Sequence, residues 1–574
     1  MSERNNNIST AQIFLYVLLC LLAIYPFFMQ VNYSSVDFTR ISQIQWFIPL
    51  SLVYLIAIQV TLVICRFISH YRMLRLLPFV VTYVLVSGFI VTQLPFVIQG
   101  DNILHSAAAK LIDIYGTLPP FSNAYSNLYP QFFILSSIFS KILGMEILFS
   151  NTFLVALIHI IITMSMYLFI DGMLNGEDKV LALIISTFSY LGNFELTYYQ
   201  SFFTPRLFAM PLFYIFLYTV FKEDSKATAV IKMLLLMAMI AGHPTIPLFL
   251  LSFVVGLHSA YVLQNKHKAK LGLSILILIL WVAWLLYISN YYFEWGVKLV
   301  FGYAQSPWFV AYGISSSYIQ EQLDFSKDFI TIFLRAYRFV VIVFTYVIGG
   351  IAAGFYILYP ILFMKKAEIS RNFLLSFASF SMFMGSLLFY VVTGRGHDYF
   401  YLLSYTIFTY FAFLELTSMV RIFSKFEKNQ LYFIFSLILI FMFPLSFFSI
   451  HSTIIYIGPS DYNGLTFLAN FGLSQNISTT GDIFYDYAIF NPSYFWPGKS
   501  GTSLLIYYTP QDLIQKSQRI PYVFEGDSVI RSSKQVFDFY FWGLSPDFWE
   551  KIDNNLAINR NKIYDNNYML IWSK

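Results

Sequence analysis

Long apolar runs broken by short polar punctuation dominate the first 450 positions of the chain. A helix needs about 20 apolar residues to cross a bilayer. On that measure spans fall near 12–30, 46–65, 76–98, 147–170, 180–193, 207–221, 229–243, 244–264, 272–291, 333–360, 372–393, 399–420 and 430–450, about thirteen in all. Three of them are short for a full crossing. The stretch 131–143 is shorter still and reads as an interfacial helix, because counting it as a crossing would invert every later segment. The expected fold is mainly α, a polytopic helical membrane domain over 1–450, followed by a small α/β or α+β domain over 451–574.

Lys and Arg set the orientation, since cytoplasmic loops carry the excess of both. Arg66, Arg72 and Arg75 follow the second span; later clusters are Lys266, Lys268 and Lys270, then Lys365, Lys366 and Arg371, then Arg421, Lys425 and Lys428. All four fall on one side if about thirteen spans are counted, which places the N-terminus in the cytoplasm. The loop 171–179 is net acidic and lends no support. Three regions then face outward: the first loop 99–146, the loop 292–332, and the tail. The tail differs in character, with Pro, Gly, Asn and Asp punctuation and short alternating runs such as Leu504–Tyr508 and Tyr568–Trp572. Ser460–Phe471 reads as its first helix and Ile563–Tyr568 as a turn into its last strand.

Composition narrows the class. Hydrophobic residues make up 58% of the 574 and charged residues only 11%, against about 25% charged in a soluble globular chain. Aromatics reach 20%, which suits lipid-facing surfaces and interfacial belts. The formal charge of +5 carries no nucleic-acid footprint. Cys20 and Cys65, the two cysteines, both lie inside apolar spans and match no metal or disulfide spacing. Arg4 followed by the run 12–30 reads as an uncleaved signal anchor. Asn32 and Asn476 open N-glycosylation sequons in outward regions, tripeptides that chance also produces.

Polar residues that occur at membrane depth are candidates for function. Asp101 opens the outward stretch 99–116 and lies four residues before His105, so a helix puts both on one face. Ile103, Leu104, Ala107, Leu111 and Ile114 are expected on the opposite, membrane-facing side. Asp101 is either a helix cap or a general base above the membrane surface; His105 is either its partner or a solvated surface group. The outward segment Glu195–Arg206 brings Tyr199, Gln200 and Arg206, the last a snorkelling interfacial cation or an anion ligand. His243 stands in a His-Pro-Thr-Ile-Pro break, as a turn residue or the lining of a polar cavity. Arg335 and Arg338 lie in the first turns of a span entering from outside. The hairpin 394–401 packs Arg395, His397 and Asp398 between two long apolar spans, denser in polar groups than a connector needs. A guanidinium at headgroup depth matches a phosphate in charge and in its bidentate fork. These groups gather at the outer face and leave the midplane, where a transporter concentrates its polar groups, without a continuous path.

The layout resembles the GT-C superfamily of membrane glycosyltransferases, which take sugars from polyprenyl-phosphate carriers. An early span leads into Gly100-Asp-Asn-Ile-Leu-His105. The Gly116-Thr-Leu-Pro-Pro120 turn follows, then Tyr129-Pro130 ahead of an amphipathic helix, Gly144 before the next span, a multispan body and an outward tail. The resemblance implies an inverting hexosyl transfer on the extracytoplasmic face, with Asp101 as general base and His105 beside it. Arg206, Arg335, Arg395 and His397 are the candidate ligands for the lipid phosphate, chosen on position. Tyr199, Gln200, His243 and Asp398 are the candidates for the rest of the substrate. Asn102 and Ile103 follow Asp101, so neither a paired acidic motif nor Asp-x-Asp is present. That favours metal independence with no cofactor, although a distant loop could supply a divalent-ion ligand, and it argues against the oligosaccharyltransferase branch. Expected partners are the polyprenyl-linked donor, a glycan, lipid or protein acceptor, and membrane lipids. The competing classes are a lipid-linked-sugar flippase or transporter, and a polymerase or ligase of surface polysaccharide.

Overall fold

The computed structural model describes residues 101–118, 125–145, 147–193, 196, 203–222, 225–263, 271–290, 294, 329–363, 370–393 and 397–423, scattered positions between 431 and 446, and five strands beyond 476. The expected spans at 12–30, 46–65 and 76–98 lie outside the described residues. The helices are α1 (Asp101–Tyr115), α2 (Tyr125–Leu128), α3 (Gln131–Leu143), α4 (Ile147–Met173), α5 (Lys179–Gly192), α6 (Pro205–Val220), α7 (Lys226–Gly242), α8 (Ile246–Leu263), α9 (Leu271–Tyr287), α10 (Phe329–Val343), α11 (Gly349–Phe363), α12 (Arg371–Thr393) and α13 (His397–Phe423). A π-helical turn, Phe344–Ile348, joins α10 to α11.

Among the described residues five helical stretches are long and apolar enough to cross a membrane: Phe153–Met173, Ile246–Leu263, Ala336–Leu362, Arg371–Phe389 and Leu402–Val420. They coincide within a turn or two with five of the expected spans. Lys179–Gly192, Pro205–Val220 and Leu271–Tyr287 are shorter apolar helices at three more. α3 has 13 residues, about 20 Å at 1.5 Å per residue, which is short of the ~30 Å hydrocarbon core. The outward-facing apolar surface is extensive. On α9 only Ser274, Ile277 and Leu285 are buried, while Ile275, Leu278, Ile279 and Leu286 lie exposed.

The chain divides into two compact units. One comprises Met1–Thr92, Ala156–Gln200 and Pro205–Thr453; the other comprises Gln93–Val155, Ser201–Thr204 and Ile454–Lys574. In the first unit α8 and α12 pack closely and antiparallel. A Cβ on Gly256 would meet Ser381 at 2.5 Å, one on Gly385 would meet Ser252 at 2.5 Å, and Ser381 Oγ donates to the Ser252 carbonyl at 2.8 Å. Small residues four apart on both helices permit that approach.

The second unit holds α1, α2, α3 and the start of α4, together with five strands. These are β1 (Ile477–Thr480), β2 (Leu505–Tyr508), β3 (Ser528–Ser532), β4 (Asn561–Asp565) and β5 (Met569–Ser573), in the order β2-β1-β3-β5-β4. β1 pairs in parallel with β2 and β3, and β5 runs antiparallel between β3 and β4. Leu505–Tyr508 and Met569–Ser573 are therefore strands, in keeping with the alternation read there.

Candidate functional site

α1 begins on Asp101, whose backbone position the structure describes, and ends at Gly116, where φ is +68° and the N–H bonds the Ile112 carbonyl at 2.8 Å. Glycine carries that left-handed turn without the Cβ penalty other residues meet. The buried stripe of α1 runs through Ser106, Ala109 and Ile112. His105 lies along it, half-buried, its ring 5.5 Å from that of Phe133 in α3 and tilted by 52°. By the helical period Asp101 shares the azimuth of His105. The side of α1 that carries His105 is thus turned into the protein, and Ile114, on the opposite side, is 56% exposed. This reverses one detail of the expected amphipathic helix: Leu111, assigned to the membrane side, is buried.

α3 is built the same way. Pro130 precedes it, Gly144 (φ +62°) ends it, and Ser140 Oγ donates to the Met145 carbonyl at 2.8 Å. Its buried face holds Phe132, Phe133, Ser136, Ser137 and Ser140, while Ile134, Ile138 and Ile142 are exposed. Ser137 Oγ donates to Asp113 Oδ1 of α1 at 3.1 Å, and Ser136 donates to Asn151 at the start of α4. Phe132 stacks on Phe203, centroids 4.2 Å apart. Asp101 and His105 therefore stand on a helix held by hydrogen bonds and rings along one side.

The remaining described candidates lie in the other unit, and its internal contacts fix their level. Tyr346 Oη is 3.3 Å from Ser404 Oγ, and a Cβ on Gly349 would lie 2.1 Å from the Phe408 carbonyl. α10, the π turn and α11 therefore run parallel to α13. Counting back along both helices from these contacts brings Arg335 and Arg338 level with the beginning of α13, where His397 and Asp398 are the first two residues. α5 runs antiparallel to both. Phe188 packs edge-on to Phe413 and tilted to Phe344, Gly192 meets Val341 and Tyr405, and Asn193 Nδ2 donates to the Leu402 carbonyl at 3.1 Å.

α6 runs parallel to α4, through Phe169 on Tyr214 and Gly172 under Tyr218. Tyr214 Oη lies 2.8 Å from Thr406 Oγ1 of α13. Arg206, half-buried in the first turn of α6 behind Pro205, thus comes to the same end of the bundle. The antiparallel α8–α12 seam places the α7–α8 turn with His243 there as well. Arg206, Arg335, Arg338, His243, His397 and Asp398 converge on one end. The structure describes Arg335, His397 and Asp398 by backbone position; Tyr199, Gln200 and Arg395 lie outside the described residues.

Two features of this end bear on its chemistry. A cation in the first turn of a helix faces the unfavourable end of the helix dipole, whereas an anion there is stabilised. Arg206 gains nothing from its own helix. His243 has a defined turn role: it ends α7, is buried, and its Nδ1 accepts the Thr245 N–H at 3.3 Å. A backbone N–H can only donate, so Nδ1 carries the lone pair and the neutral ring holds its proton on Nε2. Trp281 Nε1 donates to the Pro244 carbonyl at 2.8 Å and braces the same turn from α9.

The pinning of α10 was not anticipated from sequence. Tyr337 Oη lies 3.0 Å from Ser446 Oγ, and Ser446 Oγ donates to the Leu191 carbonyl at 2.7 Å. A tyrosine hydroxyl between two arginines, in a run otherwise apolar, was the available signal. Among the described residues no cluster of three His, Cys, Asp or Glu side chains is placed to hold a metal ion.

The opposite end of this unit carries Lys179 at the start of α5, Lys222 after α6, Lys226 at the start of α7, Arg371 at the start of α12 and Arg421 near the end of α13. Arg371 donates to the Gly172 carbonyl at 3.0 Å and to Asn175.

No family model and no curated protein matches the chain. Among solved structures it is similar to ArnT from Cupriavidus metallidurans in the apo state, with a TM-score of 0.43, 9% identity, 87% of this chain covered and 97% of that one. It is similar also to the same protein bound to undecaprenyl phosphate, with a TM-score of 0.42, 9% identity, and coverage of 88% and 98%.

Proposed function

We propose that the chain is an integral membrane glycosyltransferase that moves a sugar from a polyprenyl-phosphate donor to an acceptor on the extracytoplasmic face, with inversion. One observation supports this above the others: Arg206, Arg335, Arg338, His243, His397 and Asp398 gather at one end of the helical unit. The sequence motifs of the first outward loop, read above, supply the reaction class. Lysines and arginines at the other end support a cytoplasmic placement of that end.

The chemistry divides between the two groups of residues. Asp101 accepts the proton of an acceptor hydroxyl as its oxygen attacks the anomeric carbon. The new glycosidic bond forms on one face of the sugar while the bond to the phosphate oxygen breaks on the other, and the lipid phosphate leaves with the bonding pair. Arg206, Arg335, Arg395 and His397 stabilise the charge that develops on the departing phosphate, an effect realised chiefly in the transition state. Tyr199, Gln200, His243 and Asp398 border the sugar. The donor lipid and surrounding membrane lipids are the partners, and no metal is assigned a step.

General-base catalysis contributes roughly 10²–10⁴-fold. Asp101→Asn is therefore expected to lower transfer by at least about 10²-fold in proteoliposomes supplied with a polyprenyl-phosphate sugar, while donor binding persists. Transfer in wild-type protein is expected to survive EDTA. Movement of the lipid-linked sugar across the bilayer, unaffected by Asp101→Asn and without any transfer, would overturn the assignment in favour of a flippase.

A further inference from the structure

The five-stranded sheet carries a topological feature that the transferase chemistry does not use. The chain leaves β1 toward β2 on one side and leaves β3 toward β4 on the other, so the strand order reverses between β1 and β3. Both are parallel strands, and their carboxyl ends lie at the same edge. In open sheets with parallel strands, ligands bind in the crevice outside the carboxyl ends at such a reversal, because the connections diverge there and leave the edge uncovered.

Register shows which residues the fold brings to that edge. Thr480, the last residue of β1, pairs with Tyr508, the last of β2. Thr479 pairs with Ile530 of β3, so Thr480 is level with Arg531. Arg531 pairs with Leu570 of β5, and Leu570 with Asp565, the last residue of β4. Directly paired residues share a sheet face. Tyr508, Thr480, Arg531, Leu570 and Asp565 therefore form one lateral row on one face, at the carboxyl edge, with Thr480 and Arg531 at the reversal itself. The row one residue earlier, on the opposite face, is Tyr507, Thr479, Ile530, Ile571 and Tyr564. The two charged residues of these rows, Arg531 and Asp565, thus fall on the same face.

We propose that the carboxyl edge of β1 and β3 is a saccharide-binding site, with Tyr508, Thr480, Arg531 and Asp565 as its recognition row. Sugar hydroxyls both donate and accept hydrogen bonds. A carboxylate accepts, a guanidinium donates through a planar fork, a threonine hydroxyl does both, and a tyrosine adds an apolar ring with a polar tip. Neighbouring strands lie about 4.8 Å apart, so the row extends about 19 Å, which suits an oligosaccharide lying across the strands. Sugar binding here is separate from transfer, and it holds or fails independently of the role assigned to Asp101.

Saturation-transfer difference NMR on the full chain in nanodiscs tests the site, with methyl α-mannoside, methyl β-glucoside and methyl β-glucuronide and their disaccharides as probes. At least one disaccharide is expected to show a transfer signal that falls five-fold or more in Arg531→Gln and in Thr480→Val, and to keep it in Thr479→Val on the other face. Thr480→Val is nearly isosteric and preserves the strand if Arg531→Gln does not fold. Absence of signal from every probe would overturn the proposal. So would a signal that Arg531→Gln and Thr480→Val leave unchanged in folded protein, since Arg531 and Asp565 would then serve only the sheet.

Discussion

Gly349 and Gly350 are neighbours in one helix, yet their surroundings differ completely. A Cβ on Gly349 would lie 2.1 Å from the Phe408 carbonyl, whereas one on Gly350 would meet nothing within 4 Å. Backbone cannot rotate out of the way as a side chain can, so Gly349→Ala forces α11 and α13 apart. Overpacking costs about 1–3 kcal/mol, and Gly349→Ala is expected to lower thermal stability in detergent. Gly350→Ala is expected to leave stability unchanged or raise it by up to about 1 kcal/mol, because alanine is the better helix former. Both glycines occur in one apolar run, and nothing local in the sequence separates them; the contact that does is with a residue some sixty positions away. Gly116 and Gly144 were legible for the opposite reason, since each ends its own helix in a left-handed turn that local sequence marks. His243 lay between these cases. Its spacing to Pro and Thr allowed a turn or a cavity, and the Thr245 N–H on Nδ1 establishes the turn.

At the scale of an element, α3 shows what a hydrophobic pattern leaves open. The sequence marks 131–143 as short and apolar but does not say which side is inside. The structure buries Ser136, Ser137 and Ser140 with Phe132 and Phe133, and exposes Ile134, Ile138 and Ile142, the last at 75%. Serines turned inward find Asn151, Asp113 and the Met145 carbonyl. Isoleucines turned outward favour an apolar surrounding, and with Lys141 beside Ile142 as a snorkelling anchor the expected one is the bilayer interface. In a cysteine-free background an environment-sensitive fluorophore on Ile138→Cys is expected to be blue-shifted and quenched by lipid-borne quenchers, while one on the exposed Thr117→Cys is not. Equal emission at the two sites would remove α3 from the membrane. The α8–α12 seam was legible in principle: Ser252 and Gly256, and Ser381 and Gly385, have the small-residue spacing of close-packed membrane helices, although pairing the two required their relative direction.

For the whole molecule, the arrangement of cations is informative at both ends. Spans and their Lys and Arg flanks were readable because bilayer thickness and loop charge act on local sequence. The gathering of Arg206, Arg335, Arg338, His397 and Asp398 was readable only as a shared side of the membrane, since the packing of α5, α6, α10 and α13 determines their level. Arginines at the end opposite Lys179, Lys222, Lys226, Arg371 and Arg421 run against the tendency of outward loops to shed positive charge. The lipid phosphate proposed to bind there would offset that tendency. The orientation this requires can be tested with two exposed positions in the helical unit. Glu177 lies in the turn before α5, at the lysine-bearing end; Tyr287 ends α9, at the other. In intact cells a membrane-impermeant maleimide is expected to label Tyr287→Cys directly and Glu177→Cys only after permeabilisation. The reverse pattern would put the arginine-bearing end in the cytoplasm, and the proposed transfer would then have to occur on that face.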